Sequence, residues 1–176
     1  MLKSSFPKVP NQLDVYSVWG GIVGNYLIGP YFFNGTVNGE RYLDFLQNQL
    51  QNFLDDVPLE IIRRLCFQQD GAPPHYAAIV RDFLDQEYVN RWIGGGGPIT
   101  WPPRSPNLTK LDFFLWGYVK ELVYHEPPTT MENMQDRIRV AFQLVNNQML
   151  TKVEDSFVKR LRSCIHQNGQ HIEHVL

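Results

Sequence analysis

The chain has 176 residues, 43% of them hydrophobic, and a formal net charge of −2 at pH 7. This length and apolar content predict one compact domain with a sizeable core. No apolar run approaches the length of a membrane span, and residues 1–10 hold no hydrophobic stretch, so we expect an intracellular protein without a membrane span or a secretory signal. The slightly negative charge argues against strong autonomous DNA binding, because Lys and Arg supply most non-specific affinity for phosphates.

The first third of the chain predicts a β-hairpin followed by a helix. Residues 15–23 and 26–33 have the composition of strands, and the Gly24-Asn25 dipeptide between them is typical of a two-residue hairpin turn. A helix is expected from Asn38, whose side chain can cap the first turn. Its buried face would consist of the apolar residues at helical spacing, namely Tyr42, Phe45, Leu46, Leu50, Phe53 and Leu54.

The middle third predicts a short buried strand over residues 65–69, a helix, a loop and another short strand over residues 99–101. The helix follows Pro74, with Tyr76, Ile79, Val80, Phe83 and Leu84 at helical spacing. The segment NRWIGGGG at residues 90–97 is typical of a flexible loop, because it ends in a run of four glycines. It is not a phosphate-binding loop, since it lacks the lysine and the following helix of that motif.

The last third predicts three helices, which with the strands indicate an α/β domain. The first follows Pro106, and its apolar stripe would consist of Leu108, Leu111, Leu115, Val119 and Leu122. The second begins with Thr129 and Glu132 in a capping-box relation and turns Met134, Ile138, Phe142 and Val145 inward. The third turns Leu150, Val153, Phe157, Leu161 and Cys164 inward.

The chain has two cysteines, and neither is predicted to carry a function. Cys66 falls within the predicted strand over residues 65–69, and Cys164 falls within the last predicted helix. We therefore expect two reduced, buried thiols rather than a disulfide framework or a zinc site.

Two aspartates stand where ordinary folding rules do not ask for a charge. Asp70 follows the strand over residues 65–69, so its carboxylate would emerge at a carboxyl end of a strand, where open α/β sheets place ligands. Asp112 falls on an apolar stripe beside Leu108 and Trp116, where a carboxylate is costly unless it is paired or binds a metal. Together they suggest a metal site. Each aspartate also has a plainer interpretation. Asp70-Gly71 can be a simple turn that closes the strand. Asp112 can point to solvent at the edge of the stripe, and the helix dipole favours a negative charge near the start of a helix.

The motifs around both aspartates resemble the catalytic domain of mariner-type (Tc/mariner superfamily) transposases of the DDE/DDD group. The resemblance rests on FQQDGAPPH at residues 67–75, WPPRSPNLTKLDFFLW at residues 101–116 and VWGGIVGNYLIGPYFF at residues 18–33, and it runs to the C-terminus. It implies an RNase H-like mixed sheet flanked by helices. It also implies DNA cutting and joining with two divalent ions, Mg²⁺ or Mn²⁺.

Within this resemblance Asp70 matches the second catalytic carboxylate and Asp112 the third, which makes both of them metal ligands. Positions 71 to 111 place 41 residues between them, more than the commonest spacing in the family, and the loop over residues 90–97 can hold the excess. Asn107 and Lys110 replace the Asp and Pro that the family usually has, although Asn107 can still cap a helix.

The family's first catalytic Asp has no match in this chain. In the family it stands on a central strand well before VWGGIVG, whereas only 17 residues precede Val18 here. Asp14 is the sole acidic residue among them, and we expect it on the surface or at a strand start. The expected organisation is thus a poorly defined segment over residues 1–17 and a catalytic-domain fragment over residues 18–176, without the first central strand or the family's DNA-binding domains.

Three other residues are predicted to contact nucleic acid. Arg104 and Lys110 flank the loop that delivers Asp112, and His75 matches the histidine of the family's motif. A position near the metals is also open for His75, but a structural or capping role is the favoured alternative. The Lys and Arg excess between Arg137 and Arg162 is interpreted as the solvated face of two helices.

The sequence therefore predicts the catalytic domain of a DNA transposase, inactive as it stands because one of three carboxylates is missing. DNA would be its substrate, copies of itself or other transposase subunits its partners, and the nucleus its location, as the family implies. The alternative is a non-catalytic module, derived from a transposase, that binds DNA or protein. An RNase H-like nuclease for RNA-containing duplexes is the third and least favoured interpretation.

Overall fold

The computed structural model describes residues 2–5, 17–100, 108–127 and 129–168. The chain forms two compact units, one of Met1–Val23 with Ile28–Pro103 and one of Gly24–Leu27 with Arg104–Leu176. None of the described helices is long and apolar enough to cross a membrane.

The first sheet has the strand order β1-β2-β3, where β1 is Leu2–Ser5, β2 is Ser17–Val23 and β3 is Tyr26–Phe33. The strands β1 and β2 are antiparallel, with Leu2 opposite Gly20 and Ser5 opposite Ser17. The predicted hairpin is confirmed for the whole of β3 and from Ser17 onward in β2, while residues 15 and 16 lie outside the described residues. The pattern LKSS, with one apolar residue, does not predict β1.

A pair of helices, α1 (Gly39–Asn48) and α2 (Leu50–Leu54), follows the hairpin. As predicted, the Asn38 side chain caps α1 by accepting a hydrogen bond from the backbone N–H of Arg41 at 3.0 Å. The single predicted helix is interrupted at Gln49, but its apolar face is buried as expected except for half-buried Phe53. The Phe45 ring lies 4.6 Å from that of Trp19, centroid to centroid, which packs α1 on β2.

The second sheet is parallel and has the order β4-β5-β6, after the short helix α3 (Leu59–Ile62). Its strands are β4 (Phe67–Gln68), β5 (Trp92–Gly94) and β6 (Ile99–Thr100), with Phe67 opposite Trp92 and Ile93 opposite Ile99. The prediction of a flexible loop over residues 90–97 is therefore wrong at residues 92–94. Trp92 is fully buried, and its Nε1 donates to Oδ1 of Asp85 at 2.8 Å.

The helix α4 (Ala78–Glu87) begins later than predicted. Residues 73–76 form a turn instead of the first helical turn, because the N–H of His75 bonds back to the carbonyl of Ala72 at 2.9 Å. Val80 and Leu84 are buried as expected. Tyr76 and Ile79 are exposed, so the predicted apolar face is wrong at its first two positions.

The described part of the second unit is mainly helical beyond residues 24–27. A π-helical turn at Leu111–Leu115 leads into α5 (Trp116–Val123), followed by α6 (Met131–Leu144) and α7 (Asn147–His166). Thr130, and not Thr129, caps α6, since its Oγ1 accepts from the N–H of Asn133 at 3.1 Å. The inward faces of α6 and α7 are confirmed at Met134, Ile138, Phe142, Leu150 and Val153, whereas Val145 is half-buried and Leu161 is exposed.

Both cysteines are free thiols, as expected, but neither is buried. Cys66 is exposed just before β4, and Cys164 is partly exposed on α7. The prediction of buried thiols is wrong because β4 begins only at Phe67 and because the buried residues of α7, Leu150 and Val153, lie in its first half.

Candidate functional site

Asp70 follows β4 directly and is held by two donors on the same oxygen. Its Oδ1 accepts a hydrogen bond from the backbone N–H of Ala72 at 3.1 Å and another from Nδ1 of His75 at 2.5 Å. Among the described residues no donor reaches Oδ2, and 36% of the side chain is exposed. The Asp-Gly turn and a ligand at a strand end, which the sequence offered as alternatives, are thus compatible.

The environment of Asp70 favours its ionised form. Partial burial by itself raises the pKa of the carboxyl, but the hydrogen bond and positive charge of His75 and the N–H of Ala72 outweigh burial. The net result is a pKa for Asp70 below its ordinary value. Because an ionised carboxylate only accepts, the proton of the short contact resides on Nδ1 of His75.

His75 is in the core, only 1% exposed, and faces its carboxylate partner instead of solvent. Its ring centroid lies 4.3 Å from that of Tyr42, which fixes the plane of the imidazole. Its Nε2 is buried and has no hydrogen-bond partner among the described residues. The geometry favours the structural alternative for His75 over a contact with nucleic acid.

A buried chain of hydrogen bonds ties this turn to α1. The hydroxyl of Tyr42 donates to Oε1 of Gln69 at 3.2 Å, and Nε2 of Gln69 donates to the carbonyl of His75 at 2.9 Å. Burial first, and then the charge of Asp70, raise the pKa of Tyr42, so its hydroxyl keeps the proton that it donates. The sequence suggests that one of Gln68 and Gln69 contacts substrate without saying which, and it assigns Tyr42 only to an apolar helix face, because Tyr42 and Gln69 lie 27 residues apart in the chain.

Asp112 is exposed, at the second position of the π-helical turn. The prediction that it lies on a core-facing stripe is therefore wrong. The backbone N–H of Trp116 bonds to the carbonyl of Leu111, five residues back, and this extra residue per turn rotates the buried face. The buried residues of the turn and of α5 are Leu111, Leu115, Trp116, Val119 and Val123, whereas Leu122 is at the surface.

Of Lys110 and Arg104, the two residues predicted to contact phosphate, the structure describes only Lys110. The ammonium of Lys110 forms an ion pair with Glu154 of α7 and lies 5.0 Å from the centroid of the Phe157 ring. These contacts give Lys110 a structural role within its own unit. Arg104 lies outside the described residues, as does Asp14.

The residues are thus brought together only in part. Asp70 and His75 share one turn of the first unit, while Asp112 and Lys110 belong to the second. Within the described residues, no group of three or more His, Cys, Asp or Glu could hold a metal ion. Carboxylate oxygens are ligands of the hard type that Mg²⁺ prefers, so Oδ2 of Asp70, which no described donor reaches, and the exposed carboxylate of Asp112 are each of a chemical type that fits such an ion.

Comparisons with protein-family models and with curated proteins find no match. Among solved structures, the Mos1 transposase catalytic domain with raltegravir and Mg matches with a TM-score of 0.79 at 20% identity, covering 98% of this chain and 84% of that chain. The catalytic domain of Mos1 mariner transposase matches with a TM-score of 0.77 at 19% identity, covering 98% and 83%. The Mos1 mariner paired end complex with Mn matches with a TM-score of 0.72 at 23% identity, covering 95% and 48%.

These likenesses establish the fold. The chain has the RNase H-like mixed α/β fold of the mariner transposase catalytic domain, and the fold class predicted from the sequence is confirmed.

Proposed function

We propose that this chain, which has the fold of the Mos1 catalytic domain, is the catalytic domain of a mariner-type DNA transposase. The observation that carries the proposal is the Asp70 carboxylate at the end of β4, which is ionised and accepts two hydrogen bonds on Oδ1. It belongs to a fold that matches over 98% of the chain. The motif resemblance around Asp70 and Asp112 supports the same assignment from the sequence.

Asp70 and Asp112 are the proposed ligands of divalent ions, Mg²⁺ or Mn²⁺. When bound, two such ions supply Lewis-acid chemistry that activates the attacking oxygen and stabilises the leaving oxygen of a phosphodiester. Asp70 would bind through Oδ2, because Oδ1 is occupied by Ala72 and His75. His75 keeps the carboxylate ionised and restricts its rotation, and Asp112 offers an exposed carboxylate.

DNA is the proposed substrate, with hydrolysis at a transposon end followed by strand transfer. The solved neighbours include the Mos1 strand transfer complex and paired end complexes with Mn and with Mg. For this chain we propose, by analogy, binding to DNA ends and assembly with a second transposase subunit. A nuclear location follows from this substrate and is part of the proposal.

The proposal is tested first by metal binding. We expect Mn²⁺ to bind the purified chain, as followed by electron paramagnetic resonance, and Asp70→Asn to weaken that binding by at least tenfold. Asp55→Asn is the matched control, because Asp55 is an exposed carboxylate elsewhere in the same unit. Equal Mn²⁺ affinity in wild type and Asp70→Asn would contradict the proposed site.

Cleavage is the second test, and it separates the catalytic proposal from the non-catalytic alternative. Only two of the three family carboxylates have a match in the 176 residues, so we expect Mn²⁺ binding without nicking of supercoiled plasmid by the chain alone. Nicking that Asp70→Asn abolishes would show a complete active site and correct this expectation. Binding to DNA ends with no Mn²⁺ binding at all would favour the non-catalytic module.

A further inference from the structure

The aromatic ring of Tyr76 is unusually open for a side chain next to a buried site. Tyr76 follows His75 in the turn after β4 and is 55% exposed. Its backbone N–H bonds to the carbonyls of Ala72 and Pro73, both at 3.2 Å. The ring therefore projects into solvent from a backbone that the turn holds in place.

Arg81 covers one face of that ring. The central carbon of its guanidinium lies 4.9 Å from the centroid of the Tyr76 ring, which is within the range of a cation–π contact. Its Nε is buried and donates to no group among the described residues, and no carboxylate of those residues forms an ion pair with it. The guanidinium of Arg81 therefore keeps hydrogen-bond donors that no described residue uses.

Gly95 and Gly96, which follow β5, pack closely against Tyr76 and Arg81. A Cβ atom at Gly95 would lie 2.7 Å from Cδ2 of Tyr76, and one at Gly96 would lie 2.7 Å from Nη1 of Arg81. Gly96 also has a φ of +77°, which disfavours any other residue. Only glycine lets the backbone lie this close, so the segment sets the position of both side chains and does not act as a linker.

This combination has the two parts that an unpaired nucleotide requires. An exposed aromatic ring can stack on a base, and a guanidinium donates hydrogen bonds to the adjoining phosphate. We propose that Tyr76 and Arg81 form a nucleotide-stacking site, in which the exposed ring of Tyr76 stacks on an unpaired base of a DNA strand and Arg81 donates to its phosphate. The inference rests on the proposed function for the identity of the strand, since Tyr76 adjoins the residue that holds Asp70.

The test is binding of a fluorescein-labelled oligothymidylate of about twelve nucleotides, without divalent ions, followed by fluorescence anisotropy. We expect Tyr76→Ala to weaken binding about tenfold and Tyr76→Phe, which keeps the ring, to bind within about twofold of wild type. Leu59→Ala is the matched control, because it removes another exposed apolar side chain of the same unit. Arg81→Gln should lower the slope of log Kd against log salt by about one.

A second probe separates stacking from phosphate contact. An oligonucleotide of the same length with abasic positions keeps its phosphates, so it should bind wild type about as weakly as normal oligothymidylate binds Tyr76→Ala. Equal binding of the two probes by wild type, an unchanged affinity in Tyr76→Ala, or no binding by wild type would each overturn the inference.

Failure of this inference is distinguishable from failure of the proposed function. Mn²⁺ binding that depends on Asp70 tests the proposed function without DNA, and oligothymidylate binding that depends on Tyr76 tests the stacking site without metal. Thermal melting of each variant confirms that the fold is intact, which the exposure of Tyr76 leads us to expect.

Discussion

Nδ1 of His75 lies 2.5 Å from Oδ1 of Asp70, so a fully buried ring holds one oxygen of a carboxylate whose other oxygen accepts no hydrogen bond from the described residues. The contact joins residues five positions apart, and the ring of Tyr42, tilted by 39° to the imidazole at a centroid distance of 4.3 Å, packs against His75. A ligand held in this way loses little rotational freedom on binding a cation, which is how outer hydrogen bonds increase metal affinity.

The first prediction concerns the donor on His75. In His75→Asn the side-chain amide nitrogen can take the place of Nδ1 and donate to Asp70, whereas His75→Leu keeps volume but has no donor. We expect Mn²⁺ affinity near that of wild type in His75→Asn and a loss of about tenfold or more in His75→Leu. Electron paramagnetic resonance gives the affinities and circular dichroism the folded fraction. A purely structural histidine would show the same Mn²⁺ affinity in both folded variants.

The second prediction concerns the hydroxyl of Tyr42. Tyr42→Phe leaves Oε1 of buried Gln69 without its donor, and an unsatisfied buried acceptor costs about 1–3 kcal/mol. Urea unfolding should show this loss in the free energy of unfolding. Tyr118→Phe serves as the control, since the ring stacks on Phe114 at 5.9 Å and the same deletion should change stability by less than about 0.5 kcal/mol. Similar losses in both variants would argue against the Tyr42–Gln69 bond.

The third prediction is a pH dependence of stability. The folded-state pKa of Asp70 is depressed, so its stabilising contribution is complete above the unfolded value of about 3.9 and is lost as pH falls through the lower folded value. The difference in unfolding free energy between wild type and Asp70→Asn should therefore shrink as pH falls below about 4. Denaturant melts across that range measure it. A difference that grows toward acid would mean that the pKa is raised instead.

The fourth prediction tests whether residues 92–94 are a core strand. Trp92 is fully buried, so Trp92→Ala should cost about 3–5 kcal/mol through the cavity that it leaves. Ile99→Ala, in the exposed strand β6, should cost less than about 1 kcal/mol. Comparable small losses in the two variants would restore the loop interpretation of this segment.

The parts of the fold that the sequence predicted well are those with local signals. Asn38 caps α1 through a bond to Arg41 three residues on, and the Gly24-Asn25 turn sets the start of β3. The β5 strand was missed because four consecutive glycines are a stronger local signal than the Trp92-Ile93 pair that precedes them. The parallel pairings with β4 and β6, which are not visible in the sequence, make this segment a strand.

The candidate site divides in the same way. The Asp70–His75 contact lies within a short segment, and the sequence motif contains both residues. The motif does not predict the direction in which the His75 side chain points. The Tyr42–Gln69 bond joins residues 27 apart, and periodicity assigned Tyr42 only to an apolar face. The functional assignments of Asp70 and Asp112 remain predictions, and the metal-binding experiments address that of Asp70.

The π-helical turn at Leu111–Leu115 has a consequence for the design of variants. An α-helix advances about 100° per residue. Inserting or deleting one residue within this turn therefore rotates the helical residues before the change by about that angle relative to the buried face of α5. The outward direction of Asp112 is therefore a matter of helical phase, set by the length of the segment as much as by its side chains. Removing Phe113 would turn Asp112 about the helix axis without altering the carboxylate, so a one-residue deletion can be as severe there as a substitution of Asp112.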